Sequence, residues 1–143
     1  SPQARLAAQA GILLTSEEAH YVLAHSELVI GEHLMRMRGA DEKTIESLRA
    51  VQLAEAKRQM EGIAAELGVS PEVLVESGRP EERIPELAHR CEADLVVVGT
   101  HGMSGPRHTL LGSVAQHVLR RASCDVLVVR RRTRPWSGSA PSA

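Results

Sequence analysis

Leu95, Val96, Val97 and Val98 run without a polar break from Asp94 into Gly99, and this run constrains the fold more than any other feature of the chain. A strand alternates its faces, so four aliphatic residues in a row leave neither face for water. Such a strand fits inside a sheet that helices cover on both sides, and sheets of that kind are mainly parallel.

The rest of the chain supplies the helices and further strands. Ser1 and Pro2 read as an N-cap and first helical residue, with Leu6, Ala7, Ala10, Leu13 and Leu14 at helical spacing behind them. Ala19 to Ile30 holds Tyr21, Val22, Leu23 and Ala24, too apolar for an exposed loop, and reads as a second buried strand. A polar bridge through Gly39 leads to Asp41. From there Ile45, Leu48, Leu53, Ala56, Met60, Ile63, Ala64 and Leu67 recur at three- and four-residue steps up to Gly68, a long amphipathic helix. Val73 to Glu76 is a brief strand closed by Ser77 and Gly78. Ile84, Leu87, Ala88 and Cys91 mark a helical face with Pro85 in its first turn. After the Asp94 to Val98 strand, Val114, Ala115, Val118, Leu119 and Ala122 line one face of a helix that starts near Gly112, and Asp125 to Val129 is the last strand. This alternation predicts a single-domain α/β fold: an open, twisted, mainly parallel sheet with helices on both faces and right-handed crossovers, Rossmann-like in plan.

With 143 residues, 43% hydrophobic and 24% charged, the chain fits one ordinary globular domain. A net charge of -1 with one Trp, one Tyr and no Phe offers neither the field nor the stacking rings that nucleic acid requires, so no nucleic-acid partner is expected. Arg130, Arg131, Arg132 and Arg134 form the one basic patch, opening a Ser-, Pro- and Gly-rich tail that reads as solvated. No apolar run of about 18 residues and no basic-then-apolar start is visible, so no membrane partner and a cytoplasmic location are expected. Cys91 and Cys124 lie in apolar patterns without CxxC spacing and read as buried thiols.

The segment from Gly99 to Ser113 is the candidate site, because it leaves the carboxyl end of a strand, where open α/β sheets place ligands. Gly99 and Gly102 permit positive φ or close backbone approach, exposing amides to an anion. Gly112 and Ser113 meet the amino end of the last helix, whose N–H groups favour phosphate, with the Ser113 hydroxyl as an extra donor. The loop carries neither the P-loop lysine nor a GxGxxG fingerprint. A long connection that merely needs turns is the bland alternative.

Gly99-x-x-Gly102, nine residues, then Gly112-Ser113 resembles the GxxGx9G(S/T) nucleotide motif of universal stress proteins. The preceding ADLVVVGTHG, the following SVAQHVLRRASCDVLVVR and His25 look like that family in the expected order. The resemblance implies a domain over residues 1–131, of the adenine nucleotide alpha hydrolase-like kind, followed by a tail over 132–143. It implies binding of ATP, or of AMP or ADP, with Mg2+ as companion ion, and a homodimer formed through the last strand, Cys124 to Arg130. Gly99, Gly102, Gly112, Ser113 and the Val114 amide would hold phosphates and ribose, and Val98 and Ser26 would border the base. The nucleotide is then a ligand of a stress-response or regulatory module, with at most slow ATPase activity; a nucleotide-independent interaction module of the same fold is the alternative. Family members look as though they begin with a strand that ends in an acidic nucleotide contact, whereas Ser1 stands where the next helix should start. The expectation is a gap between the Tyr21 and Asp94 strands, with residues ahead of Ser1 to fill it.

Other residues tempt different readings. His101, His108 and His117 with Cys124 or Asp125 lack metal-ligand spacing, and His117 reads as solvent-facing. Ser104, Ser113 and Cys124 have no GxSxG elbow and no ordered His and acid around them. Arg107 could clamp a phosphate bidentately, yet a loop arginine is more often solvated.

Overall fold

The computed structural model describes residues 2–16, 18–100 and 111–130. Their order is α1 (Pro2–Leu14), β1 (Val22–Glu27), α2 (Glu32–Met37), α3 (Glu42–Ala65), β2 (Glu72–Ser77), α4 (Pro80–Arg90), β3 (Leu95–Gly99), α5 (Ser113–Arg121) and β4 (Asp125–Val129). Every strand pairing is parallel: Val22 to Glu27 align with Glu72 to Ser77, and Leu95 to Gly99 with Asp125 to Val129. The α/β architecture with parallel strands and helices is therefore as the sequence predicts.

The sheet is not continuous, however. The described strands form two pairs, β1 with β2 and β3 with β4, and β1 is not hydrogen-bonded to β3. Helices bridge the two pairs on both sides. On one side α1 packs on β3 and β4 while α3 packs on β1 and β2, and Arg5 Nη1 of α1 meets the Glu66 carboxylate just beyond α3 at 2.6 Å. On the other side α4 packs on β1, α5 packs on β3 and β4, and the two helices pack on each other.

Local chemistry explains the element ends. The Asp41 carboxylate caps α3, accepting the Thr44 N–H at 2.7 Å, and this bond holds Asp41 below the usual carboxylate range. The buried stripe of α3, Ile45, Ala56 and Ala64, falls on the helical spacing read from the sequence. Gly11 lets α1 lie close on β3, because a Cβ there would stand 3.0 Å from Val97 Cγ2.

Several expectations are corrected. The bridge through Gly39 contains α2, a short helix with no buried residue, tied by Glu32 to Arg36 one turn along and to Arg49 of α3. Pro85 is not in the first turn of α4: Pro80 opens that helix behind Arg79, leaving Pro85 buried in its interior. Cys91 is exposed and Cys124 half-buried, since Cys91 caps the end of α4 beyond the last buried position, Leu87. Leu119 is exposed on α5, where Ala115 and Val118 alone are buried. Ser1 and residues 131–143, with the Arg131, Arg132 and Arg134 patch, lie outside the described residues.

Candidate nucleotide site at the strand exit

Gly99 ends β3, and the buried Thr100 that follows joins it to the start of α5. The Thr100 N–H donates to the Val129 carbonyl at 3.0 Å, and its own carbonyl accepts the Gly112 N–H at 2.6 Å. This pair of bonds brings the β3 exit and the α5 entrance together. Gly112 is the extended N-cap of α5, with φ −73° and ψ 161°, and its carbonyl accepts the Gln116 N–H at 3.0 Å. Helix geometry leaves the Ser113 and Val114 amides without an intrahelical acceptor, and no described residue takes them up. Among the described residues, these two donors and the positive end of the α5 dipole are available to an anion.

A second helix reaches the same place. α1 runs antiparallel to β3, so that Gly11 lies on Val97 and Gln3 on Gly99. The space a Gly99 Cβ would need is taken by the Gln3 backbone, 3.2 Å away. The need for a glycine here is thus met by helix packing, and φ at Gly99 is not positive. The Thr100 hydroxyl donates to the Gln3 side-chain oxygen at 3.3 Å. Gln3 and Thr100 were not singled out by the sequence reading. Thr100 follows Gly99 directly and could have been suspected, but no local pattern links it to a residue 97 positions away.

The structure thus gathers Gly99, Gly112, Ser113 and Val114 around Thr100. Val98 precedes them in β3, half-buried, on the strand face opposite Gly99. Ser26 sits apart, near the carboxyl end of β1, buried, its hydroxyl donating to the Gly78 carbonyl at 3.0 Å. Gly102 lies outside the described residues, as do His101, Ser104, Arg107 and His108. His117 is half-buried, not solvent-facing, and its Nδ1 lies 2.9 Å from the Ser113 carbonyl, so this nitrogen carries the proton. Among the described residues no three His, Cys, Asp or Glu side chains could hold a metal ion, and no helix is long and apolar enough to cross a membrane.

A cavity the sequence did not announce opens at the carboxyl ends of β1 and β2. It measures about 620 Å³ and is lined by Leu28, Val29, Glu32, His33, Arg36, Arg49, Ser77, Gly78 and Arg83. Glu32 is its hub, accepting from Arg49 at 2.7 Å and Arg36 at 3.1 Å. The Arg49 bond is the main cause that holds the Glu32 carboxyl below the usual range, with the Arg36 bond adding to it. The buried Arg49 Nε has no partner among the described residues.

The Universal stress protein family model matches residues 1–130 of this chain. The chain belongs to the universal stress protein family. It is 42% identical to Universal stress protein MJ0531 of Methanocaldococcus jannaschii over 77 residues, which make up 54% of this chain and 45% of that protein. The match therefore spans under half the length of that relative. The structure of hypothetical protein MJ0577 superposes with a TM-score of 0.76 at 27% identity, covering 94% of this chain and 92% of that one. A universal stress protein solved in complex with cAMP superposes with a TM-score of 0.58 at 26% identity, covering 91% of this chain and 89% of that one.

Proposed function

We propose that this chain is a regulatory module that binds an adenine nucleotide, ATP or its di- or monophosphate, at the β3 exit. The observation that carries the reading is the amino end of α5, whose Ser113 and Val114 amides lack an acceptor among the described residues, beside the carboxyl end of a parallel strand. Phosphate oxygens suit those donors, because charge-assisted bonds to backbone amides are short and strong. The family membership and the relative crystallised with cAMP support an adenine nucleotide as the anion. In this reading Gly102 completes the cradle, Val98 and Ser26 border the base, and Mg2+ accompanies the triphosphate. Two copies pair through Cys124 to Arg130, and the nucleotide acts as ligand, with hydrolysis at most slow.

Titration calorimetry with MgATP tests this on wild type and on Ser113→Pro. Proline is accepted at the first helical position, and the extended Gly112 before it suits a following proline. The substitution removes one amide donor and the hydroxyl without disturbing α5. Loss of a charge-assisted bond of about 1.5–3 kcal/mol weakens ATP binding roughly ten- to a hundredfold. ATP that binds wild type and Ser113→Pro equally well would sink the assignment of the site.

A second reading, a nucleotide-independent interaction module, has its own support. The Gly99 requirement is met by Gln3, and the Gly112 N–H is engaged by Thr100. Under that reading MgATP gives wild type neither heat nor a thermal shift.

A further inference from the structure

The cavity at the carboxyl ends of β1 and β2 is separate from the β3 exit: none of its lining residues belongs to α1, β3, α5 or β4. Its walls are built in place. The connection from β1 to α2 is clamped to α3 by Gln52, whose side-chain oxygen accepts the Ile30 N–H and whose amide donates to the Ile30 carbonyl, both at 2.9 Å. At the β2 exit Gly78 has φ +136°, and Arg83 Nε lies 2.7 Å from where a Gly78 Cβ would stand. Arg83 of α4 thus crosses the strand end through space that only a glycine leaves open. Leu28 and Val29 add an apolar wall.

Three guanidiniums from three helices line this space, Arg36 of α2, Arg49 of α3 and Arg83 of α4, against one carboxylate, Glu32. Two of them keep company outside the cavity, Arg36 with Glu42 at 3.0 Å and Arg83 with Glu86 at 2.8 Å. Those are half-exposed pairs for which water already competes. Arg49 is held differently. A single Glu32 oxygen, Oε1, accepts from Arg49 Nη2 at 2.7 Å and from Arg36 Nη2 at 3.1 Å, so Arg49 is met end-on and its buried Nε–H has no partner among the described residues. A buried N–H without an acceptor is costly, and the guanidinium fork is shaped to give Nε and Nη2 together to one oxyanion.

We propose that this cavity is a second anion site, which takes a small organic phosphate monoester between Arg49 and Arg83, with Glu32 standing in its place in the free protein. The phosphoryl group accepts from Arg49 side-on, through Nε and Nη2, and pushes Glu32 off Arg49 and onto Arg36, which it already touches. A tetrahedral oxyanion suits donors that arrive from separate helices, whereas a planar carboxylate is satisfied by one fork alone. The volume of about 620 Å³ exceeds what a bare phosphate needs and falls in the range of small-molecule sites. The organic part of the ligand therefore lies against Leu28 and Val29. α2 has no buried residue and is free to yield as Glu32 turns aside.

Proton–nitrogen NMR titration of the whole 143-residue chain with phenyl phosphate, and separately with inorganic phosphate, tests this. The expected result is a saturable shift of the Arg49 Nε–H and Gly78 amide resonances, with phenyl phosphate bound roughly tenfold more tightly than inorganic phosphate. Arg49→Met and Arg83→Met, which keep an apolar stem and lose the charge, each weaken binding roughly tenfold or more. Glu32→Gln, which removes the competing charge, strengthens it severalfold. The β3 and β4 amides report in each variant that the fold is retained, and two arginine variants guard against one of them failing to fold. The proposal is overturned if wild type shows no saturable shift at Arg49 and Gly78, or if the shifts are confined to the Ser113 and Val114 amides, which places the phosphate at α5. It is equally overturned if folded Arg49→Met or Arg83→Met binds as wild type does, if Glu32→Gln binds no more tightly, or if inorganic phosphate binds as well as its phenyl ester.

Discussion

At Gly11, Gly99 and Gly112 a missing side chain does different work in each case. Gly11 is packed slightly more tightly than Gly99, and Gly11→Val drives two extra methyl groups toward Val97 Cγ2, already 3.0 Å from an ideal Cβ. Overpacking of this kind costs about 1–3 kcal/mol. Gly62 in α3 has nothing within 4 Å of an added Cβ, so Gly62→Ala instead stabilises by about 0.5–1 kcal/mol through helix propensity. Urea denaturation of the two variants beside wild type should move the midpoint in opposite directions. The sequence announced Gly99 as a strand exit and Gly112 as a helix entrance, because glycines at such boundaries are local signals. It misassigned part of the cause. That Gln3 fills the space over Gly99, and that Thr100 takes the Gly112 N–H, are contacts across the chain that no local pattern encodes.

The elements were legible in proportion to their length and burial. The 24 residues of α3 and the aliphatic β3 announce themselves by period, whereas α2, six residues without a buried position, has no period to read. Glu32 ties it to α3, joining Arg36 to Arg49. Because those arginines lower the Glu32 pKa in the folded state, its contribution is complete above the ordinary glutamate value and fades as pH falls toward the lower folded-state one. Glu32→Gln should accordingly reduce thermal stability at pH 7 and flatten its decline across that acidic window. A variant whose acid slope matches wild type would show that Glu32 is not linked to folding. On the opposite side of the sheet, Leu87 is 2% exposed on α4, and Leu87→Ala should cost about 2–5 kcal/mol by denaturant titration. The apolar spacing around Ile84 gave this helix its face, while its true start at Pro80 was hidden because Glu81, Glu82 and Arg83 carry no apolar mark.

For the whole molecule, the outer edge of β4 bears on association. Parity places the backbone groups of Val126 and Val128 away from β3, and an exposed apolar edge of this sort favours pairing with a twin. Val126→Pro removes an outward N–H and spares the β3 ladder. If two copies pair through this strand, sedimentation should show a dimer for wild type and a monomer for the variant at equal concentration. The parallel order of the fold was readable from the sequence, as β-branched runs alternating with helical stripes dictate it. The split into two pairs became visible only in the backbone ladder, which side-chain patterns do not record.

The short bond between the Gly112 N–H and the Thr100 carbonyl has a consequence for chain length. It pins the feet of the intervening segment to each other, so the closure of that span is fixed by its anchors and not by its contents. Lengthening a closed span costs only about 0.6 kcal/mol per doubling. A variant with an altered number of residues between these two anchors should therefore fold nearly as well as wild type, so any loss of ligand binding in it reports the spacing of Gly99, Gly102 and Gly112 and not the integrity of the scaffold.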